Sequence, residues 1–474
     1  INFIMETTAL KAAISYESKL VRRNGLFYFF IFGVLGILSV LIPWTRDWIF
    51  WENVAFASSI PIRGVYFLNL FQSLIVIFII CDIERKRRKA ETREVLSVRP
   101  ISNRQSLLGE FLGILVPFLA VDIIFMIVCV VIGVIIPDSP VNLWVNLFYL
   151  LTLVLPALVF ITWLSLLVNK LFKQPLISWV TLTAFLYFAC NYWVTPLYGI
   201  LDFRGSLLPS SFSTLIGFVY LEDYLLQRFV FLFLGIGFLC FAVLFTKRKP
   251  NTSDRKRYLV VPASLFLVLA LVLGGIYVGK FQARLENRIA YRETFLKYNE
   301  YPTSRVLTHD VTYHPGGEKF SATSRMSIQN RKKVKMDKLL LFLNPGLEIG
   351  KIESNGQSLS FSRDYQVIVI DHPLAPGEEI ELEVEYEGRI DEDIYQVNIP
   401  DDEFFSPAAR YSQKENYGRR RAFVSSGFTL LVPEVMWYPM TVPPVELQAS
   451  KEINFTDYTL HVKNPGEMTV LSQG

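Results

Sequence analysis

Four histidines, His309, His314, His372 and His461, are the first residues to test for chemistry, since paired imidazoles can hold a metal or move a proton. His309 and His314 fall on one predicted strand an odd number of residues apart. They therefore point to opposite faces and cannot easily share an ion. No H-E-x-x-H occurs, nor any Ser, His and Asp grouping with a local signature, so no catalytic apparatus is read from these residues and no metal ligand is assigned. The cysteines, Cys81, Cys129, Cys190 and Cys240, lie in or beside apolar runs and read as small buried hydrophobes, not as a disulfide framework or thiolate site. Residues 274–280, GGIYVGK, fit the G-x-x-x-x-G-K part of a phosphate loop. Phe281, however, stands where a Ser or Thr must reach magnesium, and the segment closes an apolar run instead of following a soluble strand. Gly275 and Gly279 are expected to allow close helix packing instead.

Asp122 is the remaining chemical oddity. It falls near the centre of the third apolar run, where an ionised carboxylate costs about 2.5 to 3.5 kcal/mol on insertion scales. Two readings stand: a residue facing a translocation path or subunit interface, or a protonated or hydrogen-bonded brace between helices. Pro156, in the fourth run, reads as a tolerated kink.

These residues belong to a chain of 474 residues, 52% apolar and 14% aromatic, with a mean hydropathy of +0.35. That is too oily for a soluble protein with a charged surface. Up to Lys280 the chain carries 25 Lys and Arg against 15 Asp and Glu; beyond it the balance is 22 against 28. A basic, oily part followed by an acidic, polar part implies two environments and does not suggest nucleic acid. Seven runs approach the roughly 20 apolar residues that cross a bilayer: 26–42, 64–81, 111–136, 143–168, 177–200, 229–245 and 258–278. Alternate loops hold 20 Lys and Arg on one side and only Arg46, Arg63, Arg204, Arg228 and Lys280 on the other. The N-terminus is thereby expected in the cytoplasm and residues 281–474 outside it.

The acidic part carries short alternating or β-branched runs closed by Pro315-Gly316, Pro345-Gly346, Asn355-Gly356 and Pro376-Gly377. They predict a sandwich-like sheet pair over 304–388, with further strands after the acidic loop 391–403. Residues 281–299 are expected to continue the seventh helix. The predicted fold class is an α-helical polytopic membrane domain of about seven spans followed by an all-β extracytoplasmic domain. Its divisions are 1–250, 251–303 and 304–474. The chain starts at Ile1 and stops inside a β region, so further residues are expected at both ends.

Residues 84–113, ERKRRKAETREVLSVRPISNRQSLLGEFLG, place eight basic residues between two apolar runs. Charge alone fits any cytoplasmic loop touching anionic lipid. The stretch also reads as a helix, a Pro100 break, a polar turn and a second helix. This order resembles the loop between the second and third spans of six-span permeases in the ABC exporter superfamily, where a coupling helix docks on a separate ATPase subunit. Residues 5–25 carry an apolar stripe, Leu10, Ala13, Ile14 and Val21, interrupted by Glu17, and look like an interfacial elbow helix. Residues 201–228 are similar to the short outer helices of those permeases.

The resemblance covers roughly 5–250. It implies ATPase contacts through Arg85, Arg93, Val95, Leu96, Val98 and Arg99, with ATP and magnesium on that partner and no cofactor on this chain. It also implies a second membrane domain, either another copy or a sister permease, and a multi-pass place in the bilayer of a cell membrane such as the bacterial inner membrane. The stretches HDVTYHPGGEKFSATSRMSIQN, PLAPGEEIELEVEYEG and VMWYPMTVPP resemble the N-terminal β domain of aminopeptidase N-type zinc aminopeptidases. In that family a following domain supplies the zinc ligands and the general base. The resemblance therefore keeps a rival reading open, a membrane-anchored zinc metallopeptidase whose catalytic domain lies beyond residue 474.

Overall fold

The computed structural model describes residues 2–47, 57–88, 103–135, 140–172, 174–193, 196–206, 212–214, 216–218, 221–246, 257–400, 422–443, 455–463, 466 and 469–472. The chain divides into two compact units, Ile1–Gly279 and Lys280–Gly474.

The first unit is helical: α1 (Asn2–Arg22), α2 (Gly25–Asp47), α3 (Ser59–Arg87), α4 (Asn103–Ile135), α5 (Leu143–Leu171), α6 (Pro175–Asn191), α7 (Leu221–Phe245) and the first part of α8 (Arg257–Tyr298). Apart from α1 these helices are rich in Leu, Ile, Val and Phe on nearly every face. Among the described residues, five are long and apolar enough to cross a membrane. A sixth arises if 8–22 of α1 and 25–38 of α2, bent by 68°, count together. The predicted fifth run stops early. Its helix has 17 residues and ends at Asn191, and the chain then turns through Pro196–Gly199 with Leu197 and Tyr198 at positive φ.

Helix α5 is capped by Asn142, whose side chain accepts from the amides of Trp144 and Val145. It widens into a π turn over Leu150–Val154 just before Pro156, the residue with no amide to donate. Asn69 Nδ2 donates to the carbonyl of Leu153 in that turn at 3.3 Å.

Close approaches occur where glycines permit them. A Cβ added at Gly109 would lie 2.6 Å from the Ala13 Cβ, and one at Gly113 would lie 2.2 Å from the Glu17 Cβ, so α1 rests in a saddle on α4. Gly33 similarly admits the ring of Phe71. Among the described residues the expected close packing at Gly275 and Gly279 is not found: a Cβ at either would meet none of them within 4 Å. The outer helices expected over 201–228 are also absent among the described residues before α7. Gly205 and Gly217 sit at φ +71° and +72°, outside helical space. A two-strand ribbon, β1 (Phe212–Ser213) with β2 (Gly217–Phe218), occupies the segment instead. The Phe212 amide donates to Ser58 Oγ at 2.9 Å.

The second unit begins with the end of α8 and is otherwise built of strands: β3 (Arg305–Gly316), β4 (Lys319–Gln329), β5 (Leu339–Phe342), β6 (Leu347–Ser354), β7 (Gln357–Ser358), β8 (Phe361–Asp364), β9 (Val367–Ile370), β10 (Glu379–Gly388), β11 (Phe423–Val424), β12 (Thr429–Leu430) and β13 (Asp457–Val462). One sheet has the order β13-β3-β4-β10-β6-β7 and another β5-β9-β8. Their apolar faces share a core that includes Val311, Phe320, Ile328, Leu341, Ile352, Ile368 and Leu382. Asn355 and Gly356, at φ 49° and 76°, form the tight turn between β6 and β7. β13 joins β3 in parallel. The last turns of α8 bring Tyr291 and Phe295 against Leu340, Phe342, Val367 and Val369. Arg288 donates to the carbonyls of Tyr395, Gln396 and Ile399.

Candidate functional site, a buried charge cluster at four helix ends

Glu17 lies midway along the apolar stripe of α1, Glu84 and Arg87 are one turn apart at the end of α3, Glu110 follows the first turns of α4, and Lys170 closes α5. Each is a charge within a few residues of an apolar run, which in sequence reads as a solvated boundary. The fold brings all five together and buries them. Arg87 is the hub. Its Nη2 donates to Glu17 Oε2, and its Nη1 lies 3.0 Å from Glu84 Oε1 and 3.0 Å from Glu110 Oε1. Lys170 Nζ lies 2.8 Å from Glu84 Oε1 and 3.4 Å from Glu110 Oε2. Side-chain exposures run from 7% to 15%, so water screens these pairs weakly. Three carboxylates around one planar guanidinium make a joint between α1, α3, α4 and α5 that an ammonium could not reproduce.

Of the residues expected to meet an ATPase, Arg85 is exposed and ion-paired to Asp82 at 2.8 Å, while Arg93, Val95, Leu96, Val98 and Arg99 lie outside the described residues. Arg88 donates to the carbonyl of Asn169. Asp122 lies elsewhere, twelve residues beyond Glu110 on α4 or about 18 Å along the helix axis. It is fully buried and accepts from Gln72 Nε2 at 2.8 and 2.7 Å. These bonds join α4 to α3.

A second polar knot holds the chain before α7. Asp202 accepts from the amides of Arg204 and Ser206. Gln227 and Arg228 on α7 donate to the carbonyls of Gly199, Asp202 and Phe203. Its members are bonded to backbone, which is the arrangement of a clamp.

In the β unit His309 is buried and its Nε2 is 2.5 Å from Ser324 Oγ, whereas His314 and His461 are exposed and His372 is half-buried. Among the described residues no three His, Cys, Asp or Glu side chains converge as metal ligands would. Tyr438 and Tyr458 pack edge-on to the His309 ring, and the three help line a cavity of 1180 Å³ with Tyr313, Phe428 and Trp437. Burial pushes His309 down to about 4, so it is neutral at neutral pH. The unfolded chain then binds a proton there that the folded unit refuses. Stability present above pH about 6.5 should be lost as pH falls toward about 4, on the order of 3 kcal/mol. Asp393, raised to about 6 by burial and by Asp391, acts in the opposite sense. Amide exchange of β3 and β4 across this range should show the loss in the native chain, and His309→Gln should flatten it.

No family model matches the chain, and no curated protein sequence matches it. Among solved structures it is similar to an M1 zinc metallopeptidase from Deinococcus radiodurans. The likeness has 22% identity over 19% of this chain and 21% of that one, with a TM-score of 0.18. With a mutant of that enzyme bound to a Tyr-Ser-Ala substrate the figures are 18% identity over 34% and 32%, at a TM-score of 0.25. Leukotriene A4 hydrolase from Saccharomyces cerevisiae is 15% identical over 19% of this chain and 15% of its own, with a TM-score of 0.16. The chain spans a third or less of each of these structures, and the likeness does not define a family for it.

Proposed function

We propose that the chain is the membrane subunit of an ATP-driven transporter of the permease type, worked by a separate ATPase that docks on residues 84–105. The observation that carries this reading is the charge cluster around Arg87. It ties α1 and three long apolar helices into one joint directly beside that loop. A push on the loop would then turn α3, α4 and α5 together with α1 instead of bending one helix end. The 20 Lys and Arg in one set of loops support a cytoplasmic position for the joint. The acidic β unit and its aromatic cavity would face the other side of the membrane. A second membrane domain, another copy or a sister chain, completes the transport path.

Replacing Val95, Leu96 and Val98 together by Asp should abolish co-purification of an ATPase subunit with this chain. Undiminished recovery would remove the coupling role. Topology has its own check. Ser358 is exposed on β7, and a Cys placed there should react with an impermeant maleimide added to whole cells stripped of any outer membrane. Protection until the cells are lysed would reverse the orientation.

A further inference from the structure

The cluster is unequal in charge. Glu17, Glu84 and Glu110 face only Arg87 and Lys170, a surplus of one negative charge if all five are ionised. An uncompensated buried charge costs several kcal/mol, whereas a carboxyl that keeps its proton avoids that cost. The contacts say which one. Glu84 and Glu110 each lie within ion-pair distance of both cations, and Glu17 meets Arg87 alone.

Among the described residues the other charged groups on the packed helices are engaged elsewhere or exposed. On α1 and its turn, Lys19, Arg22 and Arg23 are exposed. On α3, Asp82 holds Arg85 and Lys86, and Arg88 is on the Asn169 carbonyl. α4 contributes Glu110 and α5 contributes Lys170.

We infer that this cluster holds one exchangeable proton, carried by Glu17, and that the proton latches α1 into the Gly109–Gly113 saddle of α4. The saddle leaves no slack: the Glu17 Cβ would lie 2.2 Å from a Cβ at Gly113, so any new water shell around an ionised Glu17 must displace α1. Burial pushes Glu17, which precedes the first apolar run, up to about 7. Its folded value then exceeds its unfolded one, so the latch is complete below pH about 4.5 and is lost as pH rises through about 7. If the joint couples an ATPase to the apolar helices, that coupling weakens in alkaline conditions.

The test needs no ATPase, so its failure would leave the transport reading standing. The full chain in lipid nanodiscs is followed by pH-difference infrared spectroscopy, which reads the carbonyl stretch of a protonated carboxylic acid. The spectrum of the native chain minus that of Glu17→Gln should show an acid band titrating near neutral pH, a difference from which Asp122 and Asp393, present in both samples, cancel. Glu110→Gln, which cancels the surplus charge without touching Glu17, should lack the same component. No such component in the difference, or its survival in Glu110→Gln, overturns the proposal. Amide exchange of α1 supplies the second arm, taken as the ratio of native chain to Glu17→Gln so that intrinsic pH effects cancel. The ratio should be near one at about pH 4, rise through the interval between about pH 4.5 and 7, and level off above it at roughly 100-fold or more. A ratio independent of pH also overturns it.

Discussion

Replacing Arg87 by Met should leave Glu17, Glu84 and Glu110 crowded around Lys170 alone, and cost the helical unit about 3 to 5 kcal/mol. The size follows from burial. A surface ion pair contributes under about 1 kcal/mol, but this guanidinium is 13% exposed and contacts all three carboxylates. Arg87→Lys should recover little of the loss, since one ammonium cannot satisfy three acceptors set around a planar fork. Thermal unfolding in detergent, read through helix content, measures both variants. In a double-mutant cycle Glu110→Gln should soften the Arg87→Met defect, because it removes one of the stranded charges. A change in stability below about 1 kcal/mol for Arg87→Met would mean that the cluster is hydrated and screened.

Asn344→Leu should be nearly as damaging to the β unit. Asn344 is fully buried. Its Nδ2 donates to the carbonyls of Asp391 at 2.9 Å and Val435 at 2.7 Å, and its Oδ1 accepts from the amides of Gly346 at 2.9 Å and Asp391 at 2.8 Å. Leucine would strand four backbone groups, that of Val435 fully buried and those of Gly346 and Asp391 half-buried, a loss of about 2 to 4 kcal/mol. Asn344→Asp keeps the two accepted bonds and gives up the two donated ones, so it should fall between the native chain and the Leu variant. Acidification should partly restore it, because a protonated carboxyl can donate again. Unfolding with denaturant, followed by amide exchange at Gly346 and Asp391, separates the two variants. Equal damage from Leu and Asp at every pH would show that shape, and not hydrogen bonding, governs the site.

How much of this was legible in the sequence depended on the range of the interaction concerned. The apolar helices followed by a strand-rich unit were readable because burial leaves a local pattern: Leu, Ile and Val on all faces in α4, and alternation in EIELEVEYEG of β10. Asn355-Gly356 announced its hairpin for the same reason, since the left-handed turn is a property of those two residues. The cluster was not readable. Glu17 looked like a flaw in a stripe, and Lys170 looked like an ordinary loop cation, because only the packing of α1 on α4 and of α3 on α5 brings them to Arg87. A faint signal existed in Glu84 and Arg87, opposite charges one helical turn apart at the end of an apolar run. The Gly275 and Gly279 spacing misled for the converse reason. A pair of small residues permits close approach but does not supply the helix that approaches. The similarity of residues 201–228 to short outer helices gave way to Gly205 and Gly217, which the chain uses at positive φ.

The place of β13 bears on how the β unit is made. Thr456, just before that strand, bonds the carbonyl of Val306 across 150 residues of sequence, and the strand itself lies parallel to β3. As the chain is delivered from its N-terminal side, β3 can close its hairpin with β4 at once, yet its other edge must wait for a partner that arrives later. Throughout that interval a row of amides and carbonyls stands open to any extended segment nearby. The last strand thus serves as a closing seal, and slow delivery after β12 would be the moment at which the unit is most exposed to mispairing.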